Sequence, residues 1–460
     1  MSFYQRCDHA STGLRRLPSA TLEGRVISIY GLMVEIFGLA DHASVGDRVA
    51  LTTRSGDDVI AEIVGFQAGT AKAMTFAVTN GLGPGSRAVM AAPFVRGFDN
   101  ARSGHCISPD SEWMGRVIDP LCEPLDGGPG LTQGESARSV RAAPPAATTR
   151  ARLGERLDLG VRALNVFTTC RQGQRLGLFA GSGVGKSSLM AMLARHTDCD
   201  VAVLALVGER GREVREFIED DLGSEGLARS VVVVATSDQP PLMRREAAYT
   251  AMTIAEHFRD QGKSVLLMMD SVTRFCLALR EIGLSAGEPP ATRGYPPSVF
   301  AELPRLLERA GPGPVIGCRA GQITGLFTVL VEGDDHNEPV ADAVRGILDG
   351  HVILDRRIGE TGRYPAVDVL RSLSRSVPGC NGADENDLTK RARAIIALHT
   401  DMADLIRLGA YKAGTDPAVD EAIRVMPRIE AMLRQGRGEA STIADSFAEL
   451  HAALSSSDAG

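Results

Sequence analysis

Apolar and polar positions first alternate in short bursts. Residues 24–31, 32–37, 48–52 and 59–66 each follow a period of two and are punctuated by glycines, the mark of half-buried strands. Together they predict a small β-barrel or sandwich over residues 21–95. Residues 1–20 ahead of them are polar and mixed and read as a flexible N-terminal arm. From residue 96 to about 150 the rhythm is lost, and Pro120, Pro124, Pro129, Pro144 and Pro145 mark a loop-rich connector. Beyond Leu157, apolar runs at 175–180, 201–207, 231–235, 264–269 and 315–316 alternate with helical periods at 214–222, 245–259 and 298–310. Strands that are apolar throughout imply a parallel sheet covered on both faces, with its ligand at the carboxyl ends of the strands. After Gly379 the strand patterns stop. Leu388, Ile395, Leu398, Met402 and Leu405 share one helical face, Gly409 ends that helix, and helical periods continue through 419–433 and 440–454. The chain thus divides into an arm (1–20), a barrel (21–95), an α/β domain with a parallel sheet (96–379) and a helical C-terminal domain (380–460).

At 460 residues there is room for about three cores. The formal net charge of −7 argues against a dedicated nucleic-acid binder. The barrel stretch sharpens this, because five basic residues face seven acidic ones between residues 21 and 95, leaving no basic surplus for RNA. Eight cysteines are scattered, without a Cys-x-x-Cys pair or a histidine cluster at metal spacing, which predicts reduced, packed thiols in a cytosol. The first residues lack the apolar core of a signal peptide, and no run approaches the roughly 18 apolar residues of a membrane span. Attachment to a membrane is therefore expected only through a partner.

The chemistry begins where the apolar run Leu176, Leu178, Phe179 breaks into Gly181, Ser182, Gly183, Val184, Gly185, Lys186, Ser187 and Ser188, followed by a helical pattern. Strand, glycine-rich loop and helix in that order form a phosphate-binding loop. Glycines let backbone N–H groups curl around an anion and the helix N-terminus adds partial positive charge; Lys186 can reach the terminal phosphates and Ser187 can hold Mg²⁺. The usual pattern opens with glycine where this chain has Ala180, so the identification rests on Gly185-Lys186-Ser187 and on the flanking elements.

Two further strand ends carry carboxylates. Glu209 ends an apolar run, where it can orient a water for in-line attack on a terminal phosphate, with Arg210 beside it. Glu213, Arg215 and Glu216 behind them read as a solvated helix face with i, i+3 pairs. Asp270 ends the run 264–269, the position from which such enzymes hold Mg²⁺, although an aspartate there could instead cap the next helix. Arg274, one turn on, is placed to contact a terminal phosphate or Glu209.

These motifs, together with Gly287-Glu-Pro-Pro-Ala-Thr-Arg-Gly-Tyr-Pro-Pro-Ser298 and Pro365-Ala-Val-Asp-Val-Leu-Arg-Ser-Leu-Ser-Arg375, resemble the flagellar and type III secretion ATPases, relatives of the catalytic and regulatory subunits of rotary ATP synthases. The resemblance runs from the barrel to the C-terminal helices and implies a RecA-like core. It implies an Mg-dependent ATPase in which Lys186 meets the phosphates, Ser187 and Asp270 hold Mg²⁺, Glu209 orients the attacking water, and adenine packs on Tyr364. Arg375 corresponds to the arginine that enters the neighbouring subunit's site, so a homohexameric ring is implied. Further implied partners are a negative regulator or stator at the N-terminal arm, a central stalk protein, and export chaperones and substrates at the C-terminal domain. The implied location is the cytoplasm, peripheral to an export gate in the inner membrane. The function that follows is ATP hydrolysis energising protein export through the flagellar apparatus. Use in a virulence injectisome is the first alternative. An RNA-translocating ring of the transcription-terminator type is disfavoured by the acidic balance of the barrel, and a non-catalytic rotary subunit by the presence of Glu209.

Overall fold

The alternating stretch closes on itself. In the computed structural model, which describes residues 22–90, 105–181, 183–315, 320–331 and 338–455, six antiparallel strands form a barrel: β1 (Glu23–Tyr30), β2 (Met33–Phe37), β3 (Arg48–Thr52), β4 (Asp58–Gln67), β5 (Thr70–Thr75) and β6 (Arg87–Met90). They pair in the order β1-β2-β5-β4-β3-β6. Val26, Val34, Ile36, Val49, Leu51, Ile63 and the alanines 61, 71, 73 and 88 point inward and are fully buried. Alternation alone does not reveal β5, because the middle of its sequence TAKAMT is alanine and lysine, which are weak strand formers, and it is held by pairing on both sides. The expected arm lies outside the described residues.

A cluster of ion pairs fixes the barrel to the rest. Arg245 Nη2 lies 2.6 Å from Glu62 Oε2 of β4, and Arg48 Nη2 of β3 lies 2.9 Å from Glu246 Oε1. From the connector, His105 Nδ1 is 2.9 Å from Glu246 Oε1, and Arg141 Nη2 is 3.0 Å from Glu62 Oε1. Burial alone would raise the Glu246 pKa. The His105 hydrogen bond and the Arg245 and Arg48 charges outweigh burial and hold it well below the usual carboxylate range.

The second sheet is built from β7 (Val117–Ile118), β8 (Arg175–Ala180), β9 (Val201–Glu209), β10 (Ser230–Thr236), β11 (Ser264–Asp270), β12 (Gln322–Leu330), β13 (Gly350–Leu354) and β14 (Val367–Ser374). Its order is β14-β13-β8-β12-β11-β9-β10-β7. Along that order all neighbours are parallel except the edge pair β13–β14, and the two residues Gly311–Pro312 pair antiparallel with the start of β12. The proline-rich connector, read as loop, supplies the opposite edge, β7. Helices cover both faces, as fully apolar strands require. On one side pack α2 (Pro241–Asp260), α3 (Val272–Ala286), α4 (Pro297–Leu307) and α5 (Pro339–Ile347). On the other pack α1 (Lys186–His196) and the C-terminal helices α6 (Ala383–Arg407), α7 (Pro417–Leu433) and α8 (Ile443–Ser455). Gly409, at φ +68°, follows α6 as its spacing predicts.

One expected strand is corrected. Val315 lies in no strand and is 63 % exposed, and Ile316 lies outside the described residues. Strand β12, in the middle of the sheet, runs instead over Gln322–Leu330. Thr324, Gly325 and Thr328 interrupt its apolar pattern and hide it from a search for apolar runs.

Candidate active site

Strand β8 is buried for most of its length and delivers the chain to the carboxyl edge of the sheet, where residues 183–185 lead into α1. Gly185 is the N-cap at φ +89°, and no side chain caps the first turn or places an acid there. The first N–H groups of α1 are left for an anion. A side chain at Gly185 would be strained by that φ, and its Cβ would sit 3.3 Å from the Tyr364 ring. The loop glycine and the tyrosine ring are therefore close neighbours. Ser182 lies outside the described residues.

Strands β9 and β11 bring their terminal carboxylates to the same place. Lys186 Nζ is 2.6 Å from Asp270 Oδ1 and 3.4 Å from Glu209 Oε1, and all three side chains are nearly buried. Burial opposes the ammonium charge, but Asp270 and Glu209 outweigh it and hold the Lys186 pKa above its ordinary value. Burial raises the Glu209 pKa, with the Asp270 charge adding to it against the pull of Lys186 and Arg274. One ammonium thus serves two carboxylates. Thr328 Oγ1 donates to Asp270 Oδ1 at 2.6 Å. The cap of α3 is Ser271, whose hydroxyl accepts from Arg274 N, so Asp270 is not spent on capping. Arg274 Nε stands 3.8 Å from Glu209 Oε1. Gly208, at φ +73°, leaves room for it, since a Cβ there would lie 2.7 Å from Arg274 Cδ.

These groups open into a cleft of about 950 Å³ that Gly181, Gly183, Lys186, Ser187, Ser188, Glu209, Arg210 and Arg274 all line. Val184 is buried beneath the loop. Arg210 does not engage Glu209: it is exposed and pairs with Glu213 at 3.1 Å. The face behind it is solvated as expected and adds the i, i+4 pairs Arg212–Glu216 and Arg215–Glu219 to the i, i+3 pair Arg210–Glu213. Sequence reasoning did not find Thr328, which sits on the unforeseen β12, or Arg356, Asp220, Asp221 and Arg437, which line the cleft from distant parts of the chain.

Arg375 is not among the residues around this cleft. Its N–H donates to Asp349 O at 2.9 Å, and Asp349 in turn accepts from Arg175 N at 3.0 Å. That places Arg375 beside the first residue of β8, at the amino end of the sheet. The length of β8, roughly 16 Å, separates it from the loop of its own chain.

Comparison with known proteins agrees with this geometry. Residues 160–374 match the model of the ATP synthase alpha/beta family, nucleotide-binding domain, and residues 382–452 that of the T3SS EscN ATPase C-terminal domain. The chain is 52 % identical over 445 residues to the flagellum-specific ATP synthase of Caulobacter vibrioides, covering 96 % of this chain and 98 % of the relative. It is 48 % identical to that of Bacillus subtilis, covering 93 % and 94 %. The assembled ATPase EscN of the enteropathogenic E. coli type III secretion system superposes with a TM-score of 0.85 at 37 % identity, covering 94 % of this chain and all of that one. EscN has also been solved in complex with its central stalk EscO, and that form superposes with a TM-score of 0.83 over the same coverage and identity. Among the described residues no helix is long and apolar enough to cross a membrane. With a phosphate loop, two strand-end carboxylates and relatives that match almost end to end, the chain belongs to the flagellum-specific and type III secretion ATPases of the ATP synthase alpha/beta family.

Proposed function

We propose that this ATPase hydrolyses ATP in the cleft at the carboxyl edge of its sheet and that the hydrolysis energises protein export through a flagellar type III apparatus. The observation that carries the hydrolytic part is the Lys186–Asp270–Glu209 cluster beside the uncapped start of α1. The phosphates lie along the loop and α1, with Lys186 turning toward them. Glu209 is the group that orients water; its raised pKa makes it a better proton acceptor than an ordinary surface carboxylate. Arg274 holds Glu209 in position, and Arg210 reaches the phosphates from the rim. Adenine packs on Tyr364, which is 48 % exposed beside Gly185.

Hard oxygen donors, the Ser187 hydroxyl and the Asp270 carboxylate, fit Mg²⁺, which prefers one or two protein ligands together with substrate phosphates and water. When bound, Mg²⁺ would neutralise charge on the phosphates.

Arg375 completes the site of a neighbouring copy in a homohexameric ring. The assembled form of EscN and its complex with a stalk protein support a ring and a central stalk partner here. A regulator at the N-terminal arm, chaperones and exported subunits at the C-terminal helices, and peripheral docking at a membrane export gate complete the reading. The export role rests on the flagellum-specific relatives.

Specific ATPase activity measured against protein concentration, beside native mass, tests the shared site. Activity should rise cooperatively as the ring forms, and full activity in a monomer would overturn it.

A further inference from the structure

Arg375 projects from a stretch of backbone that one buried side chain grips on both sides. Gln174, the residue before β8, is fully buried. Its Nε2 donates to Ser374 Oγ at 2.9 Å and to Asp349 O at 3.2 Å, and its Oε1 accepts from Ser376 Oγ at 2.8 Å and from Arg171 N at 3.0 Å. The hydrogen-bonding capacity of the amide is thereby filled. Ser374 and Ser376 flank Arg375 in the chain, and Asp349 O is the carbonyl that accepts from Arg375 N at 2.9 Å. Ser374 Oγ in turn donates to Thr169 O at 2.8 Å. Ser374 is also the last residue of the edge strand β14, whose ladder ends at the pair Gly350–Ser374. A chain leaving an edge strand frays unless something holds it, and here the glutamine carries the order past the arginine. The Arg375 side chain itself is exposed, and among the described residues no partner is found for its guanidinium.

We infer that Gln174 is a positioning residue for the shared site: by holding Ser374, Ser376 and the Asp349 carbonyl it aims Arg375 at the phosphates of the neighbouring copy. This rests on the proposed role of Arg375. Three of the four bonds of the amide go to groups that fix the Arg375 backbone, which is more than its own burial requires. The nucleotide of its own cleft is out of its reach, because the roughly 16 Å of β8 lie between. The same strand therefore ends in the phosphate loop and begins at the grip on the arginine. An arginine left to swing would lose rate without loss of binding, since a misplacement of about 1 Å at a reacting centre can cost on the order of 10²-fold.

In the full chain with Mg²⁺, Gln174→Met, which keeps the volume without the amide, should lower kcat by about 10-fold to 10²-fold while KM for ATP and Kd for ADP stay within about twofold of wild type. Mixed rings then read whose site has failed. With Glu209→Gln copies, whose Arg375 is still well held, Gln174→Met copies should regain activity beyond what the two proteins show apart. With Arg375→Ala copies they should regain none, since no member of such a ring presents a well-aimed arginine. Any other pattern overturns the inference, and recovery with Arg375→Ala would place the defect in the variant's own cleft. Ser376→Ala is a gentler change at a half-buried position. It should lower kcat about threefold to fivefold with the same mixing pattern, and adding it to Gln174→Met should bring no further loss. Wild-type kcat in Ser376→Ala would also overturn the inference. The mixture of Glu209→Gln with Arg375→Ala is the control. No recovery there removes the shared site itself, and the role of Gln174 with it; recovery there, with the wrong pattern for Gln174→Met, removes only the positioning role.

Discussion

Lys186 Nζ sits 2.6 Å from Asp270 Oδ1, so the phosphate-loop lysine is bound to the carboxylate expected to meet Mg²⁺. In this state the lysine supplies the positive charge that two nearly buried carboxylates need. On the proposed function ATP draws the lysine away, which would leave Asp270 and Glu209 bare beside a triphosphate unless a cation arrives with it.

Mg-free ATP should therefore bind weakly to the wild type and more tightly once the repulsion is removed. Asp270→Asn is expected to improve Kd for Mg-free ATP by about fivefold to tenfold, the scale of one nearby charge in a partly screened site, while losing most turnover. Titration calorimetry with and without Mg²⁺ reads this. An unchanged Mg-free Kd would mean that Asp270 does not restrain Lys186.

Glu209→Gln should keep ATP binding and lower kcat by roughly 10² or more. Arg375→Ala should lower it by about 10³. Because Arg375 lies at the end of the sheet away from its own loop, mixing the two inactive proteins should restore part of the activity, at interfaces where an intact Glu209 meets an intact Arg375. Absence of any recovery across mixing ratios would count against a site shared between copies.

The junction of barrel and sheet predicts an acid sensitivity. The Glu246 pKa is depressed in the folded protein, so its stabilisation is present in full above the ordinary glutamate value of about 4.3 and is lost as pH falls below it. Replacing it by glutamine leaves Arg48 without its carboxylate partner and should cost about 3–5 kcal/mol. Urea midpoints at pH 7 and pH 4 should differ less in Glu246→Gln than in wild type. Equal shifts would assign the acid response to other groups.

What could be read from the sequence was what is local. The phosphate loop, Glu209 and Asp270 each stand at the end of an apolar run, and a parallel sheet sends all such ends to one edge. Thr328 escaped because β12 mixes threonine and glycine into its apolar pattern, and its burial comes from neighbours on both sides. Arg437 escaped for a different reason, since 251 residues separate it from Lys186 and only the packing of the C-terminal helices joins them (437 − 186). The solvated face behind Arg210 was also legible, because charges three and four residues apart meet on any helix: it carries Arg210–Glu213 at i, i+3 and Arg212–Glu216 and Arg215–Glu219 at i, i+4.

The sheet has its phosphate loop at one end and Arg375 at the other, which gives each subunit a front and a back. Copies that complete one another's sites must meet front to back, as heterologous contacts do when they close into rings. On the proposed shared site, traffic around such an assembly is one-way: each member would receive an arginine from one side and lend its own to the other. Loss of one member's arginine would then silence the neighbour it serves and leave its own site intact, so a damaged subunit would be betrayed by the silence next door.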